Sequence, residues 1–135
     1  DHNIGNVRSC HLQQVEGLAE FGRFDVLYSR IVLQHNPPPV QLFLLRSLLS
    51  QLLPGGVGFF QIPTYKAGYR FTVDEYLRVP NNTSMEMHYL PQAALLELVQ
   101  ACGCKILELR EDDSTGISVT AISNNLLVEK VHDAS

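Results

Sequence analysis

Between residues 24 and 63 the sequence runs FDVLYSRIVLQH, then three prolines, then VQLFLLRSLLSQLL, then PGGVGFFQIP. The segment at 25–33 is apolar and rich in β-branched residues. That suits a strand buried on both faces, and such strands belong to parallel sheets covered by helices. Pro37, Pro38 and Pro39 stop it. Proline is tolerated in the first turn of a helix, where its missing N–H would be unpaired anyway. The residues that follow set Val40, Phe43, Leu44, Ser47, Leu48 and Leu52 at helical spacing, so a helix of about fourteen residues is expected, ended by Pro54-Gly55-Gly56. The apolar run at 57–62 is too short for a helix and reads as a second buried strand. Strand, helix and strand of these lengths form a right-handed crossover between parallel neighbours. The chain is thereby directed to an α/β sheet.

Bulk composition narrows the rest. With 135 residues the chain has room for one core, and 45% hydrophobic with 18% charged residues is the balance of an ordinary globular domain. A net charge of −4 without a cluster of Lys or Arg argues against a nucleic-acid partner. Apolar stretches are broken every few residues by Gln, Arg or Ser, so no membrane span is expected. Cys10, Cys102 and Cys104 make an odd count, which suggests reduced thiols in a cytoplasm. Cys102-Gly-Cys104 is too closely spaced for a zinc knuckle and lacks a second ligand pair, so no metal is expected. Asn81 and Asn82 each fit the N-x-[ST] pattern, which is discounted without a secretory segment. The first residue is Asp1, and a fragment of a longer domain is the expectation.

Residues 7–12 could form a short strand, followed by a polar, loosely helical connection through Gly22. Residues 64–89 break the regular rhythm with Tyr65, Tyr69, Tyr76, Tyr89 and two methionines, and predict an excursion or lid with one helical turn near 73–77. A helix follows Pro91 and stops at Gly103. The segments at 105–111 and 126–131 suit an antiparallel pair at the sheet edge.

In open α/β sheets ligands bind beyond the carboxyl ends of the parallel strands. Tyr28, Ser29, Arg30, Gln34 and His35 lie at or just past the end of the first strand, and Gln61, Pro63 and Tyr65 at the end of the second. Two adjacent strand ends thus bring polar groups to one rim. A serine hydrolase built on Ser29, His35 and Asp25 fails on context. No G-x-S-x-G elbow surrounds a serine, and Asp25 begins the strand whose other end carries His35.

FDVLYSRIVLQH, the proline break, LLPGGVGFFQIP and the later LPQAALLELVQACGCKILELRED together resemble the C-terminal half of a class I S-adenosylmethionine-dependent methyltransferase of small molecules. The resemblance covers roughly residues 6–130. In that family FD-x-[VI]-x-[SA] forms the fourth strand, LxPGG leads into the fifth, and the sixth and seventh form an antiparallel edge pair. It implies a partial Rossmann-like three-layer sheet, with parallel strands at about 25–33 and 57–62 and an antiparallel pair at about 105–111 and 124–131. The family's glycine-rich D-x-G-x-G-x-G cofactor loop has no counterpart here.

The resemblance also implies roles. Tyr28, Ser29 and Arg30 would line the methionine side of S-adenosylmethionine, and Gln14 would fall in the loop flanking the adenine. Gln34 and His35 would face the methyl group or its acceptor. His35 is a candidate general base, since an ordinary imidazole accepts a proton at neutral pH, or else it hydrogen-bonds the proline-rich turn. Tyr65, Tyr69, Arg70, Glu86 and His88 would form a lid over a small-molecule acceptor, or simply pack the excursion down. Two functions stand side by side: part of a methyltransferase, and a non-catalytic truncated α/β module. In either, the outer edge of the 25–33 strand would lack its neighbour and invite a homodimer, unless residues 7–12 moved in beside it.

Overall fold

The computed structural model describes residues 5–79, 85–113 and 119–134. Four strands form one sheet: β1 (Phe24–Ser29), β2 (Leu52–Lys66), β3 (Cys104–Asp112) and β4 (Ala121–Lys130), in the order β1-β2-β4-β3. β1 and β2 are parallel neighbours, with Leu27 opposite Gly58 and Tyr28 opposite Phe59. β4 runs antiparallel to both β2 and β3. The helices are α1 (Pro38–Gln51), α2 (Val73–Arg78) and α3 (Gln92–Ala101), and 3₁₀ segments span Val15–Phe21 and Leu33–His35.

The proline break does what its chemistry allows. Pro38 and Pro39 occupy the first turn of α1, and the amides of Val40 and Gln41 close on the Pro37 carbonyl at 2.9 and 3.0 Å. Gln41, Leu45 and Leu49 then recur every four residues along the buried stripe. Leu95, Leu98 and Val99 make the corresponding stripe on α3. Both stripes join Leu27, Phe60, Ile62, Leu126 and Val128 of the sheet in one apolar cluster. The expected mixed sheet, with its parallel pair and antiparallel edge pair, is present; of the expected three layers the described residues supply two, the sheet and one helical layer.

That arrangement corrects the first strand. It ends at Ser29, not at residue 33, and it is not buried on both faces: Val26 is 71% exposed and Tyr28 67%. Only one face meets α1 and α3, so every second residue of β1 looks away from the core. Beyond Ser29 the chain turns sharply at Ile31, whose φ is 57°, and enters the 3₁₀ turn at Leu33. Residues 7–12 form no strand. The outer edge of β1 is therefore unpaired among the described residues. β2 outruns the expected 57–62 at both ends: α1 stops at Gln51, ahead of Pro54-Gly55-Gly56, Leu52 already pairs with Phe24 of β1, and Tyr65 and Lys66 still pair with β4. The expected helical turn in the excursion is α2, capped by Thr72 Oγ1, which accepts from the Glu75 amide at 3.3 Å. Asn81 and Asn82, and residues 114–118 of the acidic link, lie outside the described residues.

The α3–β3 turn depends on Gly103. Its φ is 74°, and a β-carbon there would stand 2.0 Å from the His132 carbonyl oxygen. Gly68 has the same φ with open space around it. Gly68→Ala should therefore cost about 1 kcal/mol for the left-handed backbone alone. Gly103→Ala should cost at least about 2 kcal/mol, because the clash is with backbone that cannot rotate away. Urea denaturation of the two variants measures the difference, and equal losses would refute the steric account.

Candidate functional site

Gln61 organises the rim. It is fully buried near the end of β2, and its three polar contacts reach three other segments. Its Oε1 accepts from the Ile31 amide at 2.9 Å, while Nε2 donates to Gln34 Oε1 at 3.1 Å and to Ser123 Oγ at 2.6 Å. The first contact holds Ile31, the one non-glycine residue at positive φ among the described residues. A β-branched residue there is strained, and such strain persists only where surrounding contacts fix it.

The return of the excursion is stitched to the same rim. The His88 amide donates to the Gln34 carbonyl at 2.8 Å, and the Leu90 amide to the Pro63 carbonyl at 2.9 Å. His35 Nδ1 lies 2.9 Å from the Glu86 carbonyl oxygen. A carbonyl can only accept, so Nδ1 carries the proton and the lone pair is on Nε2. His35 Nε2 has no partner among the described residues.

Beside the Glu86 carbonyl sits a half-buried polar cluster centred on buried His88. Tyr69 Oη is 2.8 Å from His88 Nδ1, His88 Nε2 is 3.3 Å from Glu86 Oε1, and Tyr76 donates to Glu86 Oε2 at 3.1 Å. Phe71 and Tyr76 each stand edge-on to the His88 ring at 5.8 Å. With Nε2–H on the carboxylate, Nδ1 accepts from the Tyr69 hydroxyl, and all three groups are satisfied. Burial first, and the neighbouring Tyr89 and Glu86 charges after it, push the Tyr69 hydroxyl above its ordinary pKa of 10.0, against a backbone hydrogen bond at Tyr89 that pulls it down. Tyr76 moves the same way, by partial burial and by donating to Glu86.

Beside this cluster opens a cavity of about 390 Å³, lined by Tyr65, Lys66, Tyr69, Arg70, Phe71 and Tyr89 among others. Thr64 at its edge is pinned by a 2.6 Å hydrogen bond to Asn124. Tyr65, Tyr69 and Arg70, expected together as a lid, thus line one cavity, and His88 is not in its lining.

The other candidates separate. Gln34 is buried, and its side-chain oxygen is engaged by Gln61, so it cannot face a cofactor or an acceptor. Tyr28 and Arg30 border a different cavity of about 390 Å³ with Phe59 and Asn125, and Tyr28 stacks on Phe59 with ring centroids 5.6 Å apart. Ser29 pairs in register with Phe60, so its side chain belongs to the opposite face. The three consecutive residues therefore do not form one wall. Gln14 lies in the N-terminal segment on a cavity of about 780 Å³, along with Arg8, His11 and Phe21. Gln61 as organiser, and Lys66, Phe71 and Tyr89 as cavity walls, were not singled out by sequence as site residues in these roles. Their signal was the crowding of aromatic and cationic residues around the Ala67-Gly68 turn.

No protein-family model matches the sequence, and no curated protein matches it. Solved structures do. Magnesium protoporphyrin IX methyltransferase (ChlM) from Synechocystis PCC 6803 aligns with a TM-score of 0.55 at 15% identity, over 81% of this chain and 45% of that one. An S-adenosylmethionine-dependent methyltransferase from Clostridium acetobutylicum ATCC 824 gives 0.58 at 12% identity, over 88% and 63%. The [4+2]-cyclase SpnF gives 0.54 at 12% identity, over 84% and 52%. The chain shares the fold of these proteins over the matched residues. It spans about half the length of these proteins. At such identities the likeness concerns the fold, and the cyclase shows that one fold serves different reactions.

Two outcomes test the site's construction. Gln61→Leu leaves the Ile31 amide, Gln34 and Ser123 without their partner and should lower stability by about 2–4 kcal/mol, measured by urea denaturation. Tyr69 and Tyr76 hold their protons to higher pH folded than unfolded. The stability they add is thus present below about pH 10 and lost as pH rises through their folded values. Tyr69→Phe should cost about 1–2 kcal/mol at neutral pH and make the alkaline fall in stability shallower. A fall of unchanged steepness would show that Tyr69 is not a source of it.

Proposed function

We propose that the chain is the C-terminal part of an S-adenosylmethionine-dependent methyltransferase that acts on a small molecule. The observation that carries this reading is the match of the sheet and its helices to solved methyltransferases over more than four-fifths of the chain. The acidic net charge and the lack of a basic cluster support a small-molecule acceptor over a nucleic acid. Free Cys10, Cys102 and Cys104 support a reducing, cytoplasmic setting, and no helix among the described residues is long and apolar enough to cross a membrane.

The residues present fit one side of the cofactor only. No glycine-rich D-x-G-x-G-x-G loop occurs in the 135 residues, and close backbone approach to the cofactor needs such a loop. Tyr28, Ser29 and Arg30 sit at the end of β1, where the methionine side would fall, although on two faces of the strand. On the acceptor side His35 is the general base. Its Nε2 lone pair takes a proton from an acceptor hydroxyl or amine, while the Glu86 carbonyl holds the ring in place. Tyr65, Tyr69 and Arg70 line the acceptor's cavity, and His88 positions Tyr69. The 135-residue chain on its own binds the cofactor poorly and self-associates through the unpaired edge of β1, beside exposed Val26 and Tyr28.

The full reading frame that encodes these residues should bind S-adenosylmethionine at micromolar concentration, whereas calorimetric titration of the 135-residue chain should show no saturable heat below millimolar ligand. In the full protein His35→Ala should lower methyl transfer about 10²–10⁴-fold and leave cofactor affinity unchanged. A full-length protein that ignores both S-adenosylmethionine and S-adenosylhomocysteine would refute the methyltransferase reading. Micromolar binding by the short chain would refute the incomplete pocket. Light scattering of the same samples should give a mass above that of a monomer, and a strict monomer would exclude association through β1.

A further inference from the structure

Resting on the assignment of the Tyr65–Tyr69 cavity to the acceptor, we infer that the acceptor is a planar aromatic carboxylate. Its ring lies among Tyr65, Tyr69, Phe71 and Tyr89, and its carboxylate is held by Arg70 and Lys66.

The cavity's walls call for both halves of such a molecule. At about 390 Å³ it has room for a one- or two-ring compound. Four of its walls are aromatic, and Tyr69 already meets Tyr89 edge-on at 5.1 Å between ring centroids. A flat apolar ring extends that arrangement, since aromatic rings favour offset and edge-to-face contacts. Burial of Tyr89, and the hydrogen bond from Tyr69 to His88, fix two of these walls before any ligand arrives. Such preorganisation lowers the ordering cost of binding.

The cations supply the second half. Lys66 opens a tight turn, closed by the Tyr69 amide on the Lys66 carbonyl at 3.1 Å, and Arg70 follows it directly. Neither has an acidic partner among the described residues. Lys66 Nζ instead lies 5.8 Å from the centre of the Tyr89 ring. Glu86 is occupied by Tyr76 and His88 and does not line the cavity. Two uncompensated cations on an aromatic pocket, in a chain of net charge −4, form a local positive site where a carboxylate is the complementary group. Arginine's planar fork suits the two carboxylate oxygens, and lysine adds a point charge.

The test compares 2-naphthoate with its neutral counterpart 2-naphthamide, titrated into the 135-residue chain by ligand-observed NMR. Naphthoate should bind about tenfold or more tightly, as expected when a charged hydrogen-bond partner is lost. The double variant Lys66→Gln/Arg70→Gln should erase that preference while both compounds still bind. Arg46→Gln, at an exposed position on α1, should leave it intact. Equal affinities in the unsubstituted chain, or no saturable binding of either compound, would overturn the inference. The methyltransferase reading stands or falls separately. A carboxylate preference without cofactor binding by the full protein sinks that reading alone, and cofactor binding without a carboxylate preference sinks only this one.

Discussion

The rim hangs on a single buried amide. Gln61 spends its oxygen on a strained backbone and its nitrogen on Gln34 and Ser123, and through these contacts β1, β2, β4 and the 3₁₀ turn are tied together. A polar side chain buried to this degree would be costly unpaired, so its value lies in completeness. It also explains why Ile31 can hold a φ of 57° without glycine. Pinning the Ile31 amide lets the chain leave β1 abruptly, and that turn sets His35 where its ring meets the Glu86 carbonyl. Remove the amide and the strand end has no reason to turn there.

From that anchor the excursion gains its shape. Residues 64–89 would carry a large ordering cost if they met the domain only at their ends. Instead their return is fixed at Gln34 and Pro63 by backbone hydrogen bonds, and their middle closes on His88. α2 buries no residue, and six residues are too few for a stable helix by themselves. The reach of Tyr76 to Glu86, with Phe71 and Tyr69 around the His88 ring, therefore holds α2 in place. The same contacts stiffen the cavity wall. Order in the excursion and order in the cavity wall thus share one set of contacts.

Much of this was legible in the residues, for a physical reason that also marks where legibility stopped. A proline-capped helix between two apolar runs can pack in few ways, so the parallel β1–β2 unit and its crossover followed from local rules. The antiparallel pair of β3 and β4 followed from alternation. Whether β1 is covered on one face or two depends on which other layers are present, and Val26 or Tyr28 looks the same in sequence either way. Gln34 illustrates the other blind spot. A glutamine just past a strand end reads as a ligand group, yet a partner 27 positions away claims its amide. His35 kept its candidacy because its partner is a carbonyl, which occupies one ring nitrogen and leaves the other free. Lys66 and Tyr89 were hidden by distance, being 23 positions apart and joined only when β2 and the excursion's return run side by side.

The uneven coverage of the sheet connects these observations. One face carries α1, α3 and a sealed apolar cluster. The other leaves Val26 and Tyr28 exposed, with Phe59 only part-covered beside them. Burying one large apolar side chain is worth about 1.5–3 kcal/mol, so covering several of them is a substantial driving force. The unpaired edge of β1 adds backbone groups that another strand could satisfy. Both features sit on the side of the sheet away from β3. The aromatic cavity and His35 lie at the carboxyl ends of β1 and β2, apart from that face. Whatever covers that face and edge therefore need not displace the aromatic cavity at the strand ends.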